Sequence, residues 1–395
     1  MPDPNRHRDS SRWEQSSWWS RVKERLLPHL SQPRRQADRQ LEMRDPPSPT
    51  AERLAVPEQR DPEVSDEGLL APPIAAERKA IPDLRPRTLG EFAGQRRVVE
   101  ALGIAIRATQ ERDEALEHVL LSGPPGLGKT TLAQVIAREI GVELRWVTGS
   151  SVERVGNLIS LLTSLEEGDV VCIEGIHRLP ADAVPLLCQA MSEYTADIVF
   201  DKGAHARIYR SRLQAFTLVG TAPSISGVPR RLRDQFGICL AVEYYSAQDL
   251  AELLRRSAAL LDVGTDDAAV RMIAERSRGT PRVANRLLRR ARDYAQTRGN
   301  GRITREVAKD ALAVEGVDDL GLTPWDRAVL QTLVKQYRGG PVAARTLFRS
   351  LRREGRELAE TIEPYLLASG LVTFTRGGLV ATEKTRSHLE RGCRC

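Results

Sequence analysis

The stretch Gly123–Thr131 reads GPPGLGKTT and fits the phosphate-binding pattern G-x-x-x-x-G-K-[ST] at every fixed position. A short apolar run, 118–121, precedes it, and apolar residues recur at helical spacing over 132–140. The stretch is therefore predicted to be a turn between a buried strand and a helix. In such a turn the backbone N–H groups around Gly126 and Gly128 close on a polyphosphate, and the helix N-terminus adds partial positive charge.

Two side chains of this turn supply the rest of a nucleotide site. Lys129 is placed to reach the outer phosphates, and the Thr130 hydroxyl is placed to ligate Mg²⁺. The sequence therefore predicts a nucleotide-binding protein that uses magnesium.

Length and composition indicate a multi-domain protein. The chain has 395 residues, 41% hydrophobic and 28% charged, which is enough for two or three cores. No apolar run is long enough to span a bilayer, and the N-terminus lacks the apolar block of a secretory signal, so we expect a cytoplasmic protein. The net charge of +6 suits a nucleic-acid or acidic partner.

The five cysteines do not suggest a disulfide framework. Their number is odd, and most lie within apolar runs, so buried reduced thiols are predicted. Cys393 and Cys395 form a C-x-C pair, but no second ligand pair accompanies it, so no metal site is predicted there.

Residues 1–75 read as an extension of low order, rich in Pro, Arg, Asp, Glu and Ser. Within it, residues 12–30 place Trp19, Val22 and Leu26 on one helical face flanked by basic side chains. Two interpretations remain open. The segment is a helix that contacts a membrane surface or a partner, or it is a disordered tail with incidental tryptophans.

Three ordered domains are predicted to follow. Over 76–245, four short apolar strands alternate with helices, which is typical of an α/β fold with a parallel sheet covered on both faces and the nucleotide at the strands' carboxyl ends. Over 246–316 strand signals vanish and four helices are predicted. Over 317–395, three helices precede two strands at 371–374 and 378–381, which favours a winged helix.

Several motifs in this order resemble the RuvB family, the hexameric AAA+ motors that drive branch migration of Holliday junctions. The likeness runs from about Leu84 to Thr382. Its most specific stretches are LRP at 84–86, SLEEGDV at 164–170, IHRL at 176–179, RSRGTPRVANRLLRR at 276–290 and EPYLL at 363–367.

The resemblance implies an architecture and a set of partners. It implies a large P-loop ATPase domain, a small helical lid domain and a winged-helix head that contacts four-way junction DNA, with Arg376 as the retained contact. It also implies a homo- or hetero-hexameric ring and a RuvA-like partner bound through a hairpin at about 197–215.

The resemblance also assigns the ATP and Mg²⁺ site. Leu84 and Arg85 would frame the adenine, Tyr245 would lie by the nucleotide, and Arg282 would reach the γ-phosphate as the second sensor. The phosphates would be held by Gly126, Gly128, Lys129, Thr130 and Thr131, and the metal by Thr130 and Glu174.

The positions that support hydrolysis depart from the family pattern. An Asp-Glu pair is replaced by Glu174 and Gly175, so the group that polarises the attacking water is missing. Ala222 and Pro223 occupy the first-sensor positions, and neither has a side-chain donor. Gln235 replaces the arginine finger. In the head, Phe374 and Leu379 replace two phosphate contacts.

Three functions are therefore compatible with the sequence. The first is the family function, an ATP-binding motor subunit for Holliday junction branch migration in recombination and repair. The second is a hydrolysis-impaired relative that binds nucleotide as a scaffold or regulator of a ring, which the missing groups favour because each contributes several orders of magnitude in rate. The third is an anchoring protein recruited through its N-terminal segment.

Overall fold

A computed structural model describes residues 83–152, 155–200, 207–351 and 364–392. The predicted N-terminal extension at 1–75, with its segment 12–30, lies outside the described residues, as do Cys393 and Cys395. Among the residues described, no helix combines the length and apolar character needed to cross a membrane.

The first folded region is built on a five-stranded parallel sheet with the strand order β2-β3-β6-β1-β7. The strands are β1 Val119–Ser122, β2 Leu144–Thr148, β3 Val170–Glu174, β6 Thr217–Ala222 and β7 Ile238–Ala241. Every residue of β1 and β6 is buried, which requires cover on both faces of the sheet. The predicted α/β class is therefore confirmed.

Strand β7 was not predicted. It lies at one edge of the sheet and its residues alternate between half-buried and exposed, although its sequence, Ile238–Ala241, is a short apolar run like those of the central strands. The same position explains why Cys239 is exposed, against the expectation of a buried thiol. Cys172 and Cys188 are buried as expected.

Helices cover this sheet. They are α1 Arg96–Arg112, α2 Lys129–Ile140, α3 Val155–Thr163, α4 Ala183–Glu193 and the short α5 Arg230–Arg233. Helix α2 packs across β2, β3 and β6. Buried side chains of α3 and α4 form one apolar cluster with β3 and β6.

An antiparallel hairpin extends from this region. Its strands are β4 Thr195–Phe200 and β5 Arg207–Arg212, so the paired part begins and ends slightly earlier than the predicted 197–215. Arg210 forms a two-point ion pair with Asp197 across the hairpin, with Nε to Oδ1 at 2.8 Å.

The second region is helical, as predicted. It contains α6 Ala247–Leu260, α7 Asp267–Glu275, α8 Pro281–Arg298 and α9 Arg305–Val314. The sequence fixes their starts. Ser246 and Thr304 cap α6 and α9 by accepting main-chain N–H groups, and Pro281 occupies the first turn of α8, where no donor is needed.

The third region has the winged-helix elements α10 Pro324–Lys335, α11 Ala344–Ser350, a helical segment at 364–368, β8 Val372–Thr375 and β9 Gly378–Ala381. A last helix, α12 Glu383–Gly392, was not predicted. Leu379 is part of this region's core.

A buried ion pair joins the second and third regions. The carboxylate of Asp326 is fully buried and accepts from Arg278 Nη1 at 3.0 Å and from the main-chain N–H of Thr323 at 2.8 Å. The Arg278 guanidinium also lies over the ring of Tyr365, 4.2 Å from its centroid. The ring of Tyr365 in turn meets Tyr244 edge-on at 6.4 Å.

We predict that Arg278→Met lowers the free energy of unfolding by about 3–5 kcal/mol, because it leaves the Asp326 carboxylate buried without its cation. Urea-induced unfolding measures the effect. The control is Arg271→Met, which breaks an exposed pair with Asp267 within α7 and should cost under about 1 kcal/mol. Equal losses in the two variants would contradict the prediction.

His118 is a buried titratable group within the first region. Its Nδ1 accepts the main-chain N–H of Leu218 at 3.0 Å, which leaves Nε2–H to donate to the carbonyl of Met191 at 3.1 Å. Burial lowers its pKa, against smaller opposing effects of the Met191 carbonyl and Glu117. The folded protein therefore holds the neutral ring.

We predict that this histidine makes stability fall with acidification. Its folded pKa lies below the unfolded value of about 6.5, so its contribution is complete above that pH and is lost as pH falls through the folded pKa. Thermal unfolding between pH 7.5 and 5 measures the slope. His118→Gln does not titrate, so its slope should be shallower than that of the wild type, and an equal slope would refute the assignment.

Candidate nucleotide-binding site

The predicted phosphate loop lies between the end of β1 and the start of α2. Gly123 has φ +143°, and a Cβ there would stand 2.2 Å from the carbonyl oxygen of Val242. Gly128 has φ +98°, and a Cβ there would stand 3.2 Å from the ring of Phe92. Gly123 therefore allows a tight backbone approach, and Gly128 allows a left-handed turn beside an aromatic ring. The loop's N–H donors at the start of α2 suit the phosphates of a nucleotide.

Lys129 is held over this loop. Its Nζ donates to the carbonyls of Gly123 and Pro124 at 2.6 and 2.8 Å. Burial lowers its pKa to about 8, an effect that the nearby carboxylate of Glu174 opposes and the cation of Arg282 reinforces. The structure thus brings Lys129, Glu174 and Arg282 into one electrostatic group, and a polyphosphate at the loop would favour the charged form of the lysine.

The candidate magnesium ligands lie at the start of a helix and at the end of a strand. Thr130 is in the first turn of α2, and Glu174 ends β3. No cluster of three or more His, Cys, Asp or Glu side chains suited to a metal occurs among the described residues. This donor set fits Mg²⁺, which is commonly held by one or two protein oxygens together with phosphate oxygens and water.

Gly175 follows β3 in a left-handed conformation, φ +69° and ψ 45°. Its N–H donates to the Thr221 hydroxyl at 3.2 Å. A Cβ at this position would meet Arg178 Cδ at 3.6 Å, an ordinary contact distance. There is thus room for a side chain, but the backbone would strain any residue other than glycine.

The first-sensor positions are at the end of β6. Ala222 is buried, and its carbonyl accepts the main-chain N–H of Gly123 at 3.1 Å. Neither Ala222 nor Pro223 has a polar side chain. Thr221, one residue earlier, is a buried hydroxyl that the sequence analysis did not single out, although its position before a strand end was a usable signal.

The second, helical region is called the lid. The lid and the segment that leads into it contact the phosphate loop at two points. The main-chain N–H of Arg282 donates to the Gly126 carbonyl at 3.3 Å, and the Arg282 side chain is exposed. The Tyr245 hydroxyl donates to the Leu127 carbonyl at 3.2 Å, and burial raises the pKa of Tyr245. Both predicted residues therefore lie against the phosphate loop.

The N-terminal segment of the described region, residues 84–92, is called the strap below. Leu84 is buried, whereas Arg85 is exposed and donates to the Gln134 amide oxygen at 3.1 Å. Arg256 of α6 donates to two carbonyls of the strap. Sequence reasoning missed Arg256, because no local pattern marks a side chain that acts 165 or more positions away.

Gln235 does not belong to the group formed by Lys129, Glu174 and Arg282. It lines a separate cleft of about 480 Å³ together with Asp182, Glu193, Asp197 and Arg231.

The head presents a different surface. Arg376 is exposed in the turn between β8 and β9, and Phe374 is 62% exposed beside it. Leu379 is only 2% exposed and packs into the winged-helix core, so its side chain does not face a ligand surface.

Three sequence families match consecutive parts of the chain. Residues 84–242 match the Holliday junction DNA helicase RuvB P-loop domain, residues 245–318 the RuvB AAA lid domain, and residues 319–390 the RuvB C-terminal winged helix domain.

Individual relatives agree with these matches. The chain is 48% identical over 306 residues to the Holliday junction branch migration complex subunit RuvB of Desulfosudis oleivorans, covering 78% of this chain and 89% of the relative. It is 45% identical over 326 residues to the subunit of the same name from Kosmotoga olearia, covering 82% and 95%.

A solved structure gives the same result. The RuvB Holliday junction branch migration motor of Thermotoga maritima superposes with a TM-score of 0.72 at 41% identity, covering 78% of this chain and 98% of that one. With the parallel sheet, the lid and the winged helix arranged as described above, the chain belongs to the RuvB family.

Proposed function

We propose that this protein is an ATP-binding subunit of the branch migration machinery that acts on Holliday junctions in recombination and repair. The observation that carries the proposal is the phosphate loop held between β7 and the lid, within a chain whose three regions match the RuvB domains in order. Fold alone would not support a function, so the site residues are needed as well.

ATP would be held by the groups already described. The backbone of Gly126 and Gly128 and the side chains of Lys129, Thr130 and Thr131 would contact the phosphates, with Arg282 approaching from the lid. Leu84, Arg85 and Tyr245 would lie around the rest of the nucleotide, and Thr130 and Glu174 would hold Mg²⁺. Magnesium would neutralise charge on the phosphates.

The partners follow from the same assignment. We infer contact with four-way junction DNA through the exposed Arg376, assembly into a homo- or hetero-hexameric ring, and a RuvA-like partner bound at about 197–215. A cytoplasmic location and a membrane or protein contact through 12–30 remain predictions from the sequence.

A second candidate function rests on specific observations. Gly175, Ala222 and Pro223 place no carboxylate or side-chain donor at the strand ends, and Gln235 supplies no positive charge. These residues support a subunit that binds ATP and hydrolyses it slowly, as a scaffold or regulator of a ring. The comparisons with relatives support the first candidate, and turnover decides between the two.

We predict that the wild type binds ATP and a four-way DNA junction, and that Lys129→Ala weakens ATP binding roughly tenfold to a hundredfold, because a charge-assisted contact to phosphate is lost. Calorimetry measures the affinity. Lys309→Ala, at an exposed lid position, is the matched control and should bind ATP normally. Failure of the wild type to bind ATP would overturn the proposed function.

We predict that Gly175→Glu combined with Gln235→Arg raises ATP turnover, since a general base and an arginine finger are each worth about two or more orders of magnitude. The left-handed backbone at 175 should cost the variant roughly 1–2 kcal/mol of stability. Gly175→Gln with Gln235→Arg has the same backbone cost and the same arginine but no carboxylate, so it should turn over roughly a hundredfold or more slower than Gly175→Glu with Gln235→Arg. A wild-type rate already equal to that of an active motor would refute the second candidate.

A further inference from the structure

The strap, residues 84–92, runs between the phosphate-loop helix and the lid. On the helix side, the main-chain N–H of Leu89 donates to the Glu139 carboxylate of α2 at 2.8 Å, and Arg85 contacts Gln134 of the same helix. At its end, the Phe92 ring lies against Gly128 of the phosphate loop. The strap therefore packs along α2 and reaches the phosphate loop at Phe92.

Arg256 holds the strap from the lid side. Its Nη1 donates to the carbonyl of Glu91 at 2.6 Å, and its Nη2 donates to the carbonyl of Leu84 at 2.9 Å. One guanidinium thus grips both ends of the strap. The planar fork of arginine fits two such acceptors at once, whereas a lysine ammonium is a single point charge on a flexible stem.

Arg256 is partly buried where it donates its hydrogen bonds to the strap. Its Nε is buried with no hydrogen-bond partner, so the guanidinium loses hydration on folding. The two hydrogen bonds to carbonyls of the strap offset that cost. Burial also lowers the pKa of Arg256, and the Glu91 carboxylate opposes that effect. The neighbouring Arg255 differs, because it is exposed and pairs with Asp267 inside the lid.

A second pair of hydrogen bonds ties the chain after the strap to the segment that leads into the lid. The Gln95 amide donates to the carbonyl of Glu243 at 2.6 Å and accepts the main-chain N–H of Glu243 at 3.2 Å. Glu243 lies between β7 and Tyr245, on the segment that leads into the lid. The chain just beyond the strap is therefore also tied to the lid side of the site.

The position of the strap relative to the loop defines which part of a nucleotide it can affect. The loop and Lys129 account for the phosphates. The base would then lie beyond the loop, on the side where Phe92 of the strap and Tyr245 lie against the loop.

We propose that Arg256 is a positioning residue for the base of a bound purine nucleoside triphosphate, acting by locking the strap that carries Leu84 and Arg85 to the lid. This inference rests on the proposed ATP-binding function. It makes base recognition depend on a residue that does not itself contact the nucleotide, and it makes the strap move with the lid.

The test compares two ligands that share phosphates but differ in the base. Binding of ATP and of inorganic tripolyphosphate, each with Mg²⁺, is measured by calorimetry on the full chain. Arg256→Ala should weaken ATP binding roughly tenfold to a hundredfold, the effect of two lost charge-assisted hydrogen bonds, and leave tripolyphosphate binding within about twofold of wild type. Arg256→Lys should restore part of the ATP affinity.

Arg255→Ala, one position earlier on α6, is the matched control and should bind both ligands as the wild type does. Equal weakening of the two ligands by Arg256→Ala would indicate a general loss of structure and would overturn the proposal, as would unchanged ATP affinity. If Arg256→Ala does not fold, Arg256→Lys must still weaken ATP selectively, and failure to do so also overturns it. A wild type that binds tripolyphosphate but not ATP contradicts this inference, whereas one that binds neither overturns the proposed function itself.

Discussion

The phosphate loop can keep its shape only because backbone approaches backbone at the end of β7. A side chain at Gly123 would come within 2.2 Å of the Val242 carbonyl oxygen, a distance that no side chain tolerates. That contact fixes the loop against the strand that leads into the lid. The hydroxyl of Tyr245, three residues further on, then bonds the loop at Leu127. The phosphate loop is therefore in direct contact with the segment that leads into the lid.

Further contacts join the lid to the winged-helix head. Tyr244, beside the tyrosine that contacts the loop, meets the ring of Tyr365, and that ring carries the guanidinium of Arg278 paired with the buried Asp326. Arg278 precedes Gly279, whose carbonyl accepts the main-chain N–H of Tyr245. A change in lid position would therefore be felt in both the strap and the winged helix, because packed aromatic and ionic contacts have few alternative arrangements.

The two halves of the site have different chemistry. The half proposed to bind phosphate has its cation, its backbone donors and its lid contacts. The half proposed to activate water has a glycine, an alanine and a proline at the ends of the neighbouring strands β3 and β6. The left-handed backbone at Gly175 adds to the difference, because it suits glycine and strains a glutamate or any other residue that carries a Cβ.

Local patterns in the sequence determined much of this protein. The central strands β1, β3 and β6, the lid helices and the phosphate loop all follow from short apolar runs, capping residues and glycines, which depend on neighbours in the chain. The edge strand β7 carries the same kind of apolar run, Ile238–Ala241, and was missed although the signal was present. The helix α12 gave no such signal, because its sequence is strongly polar.

Only the tertiary structure decided the rest. Three features depend on residues that are distant in sequence. They are the hydrogen bonds of Arg256 to Leu84 and Glu91, the packing of Leu379 in the winged-helix core, and the ion pair of Arg278 with Asp326. Their energies come from desolvation and from geometry between separate elements, and neither is defined until the chain has folded.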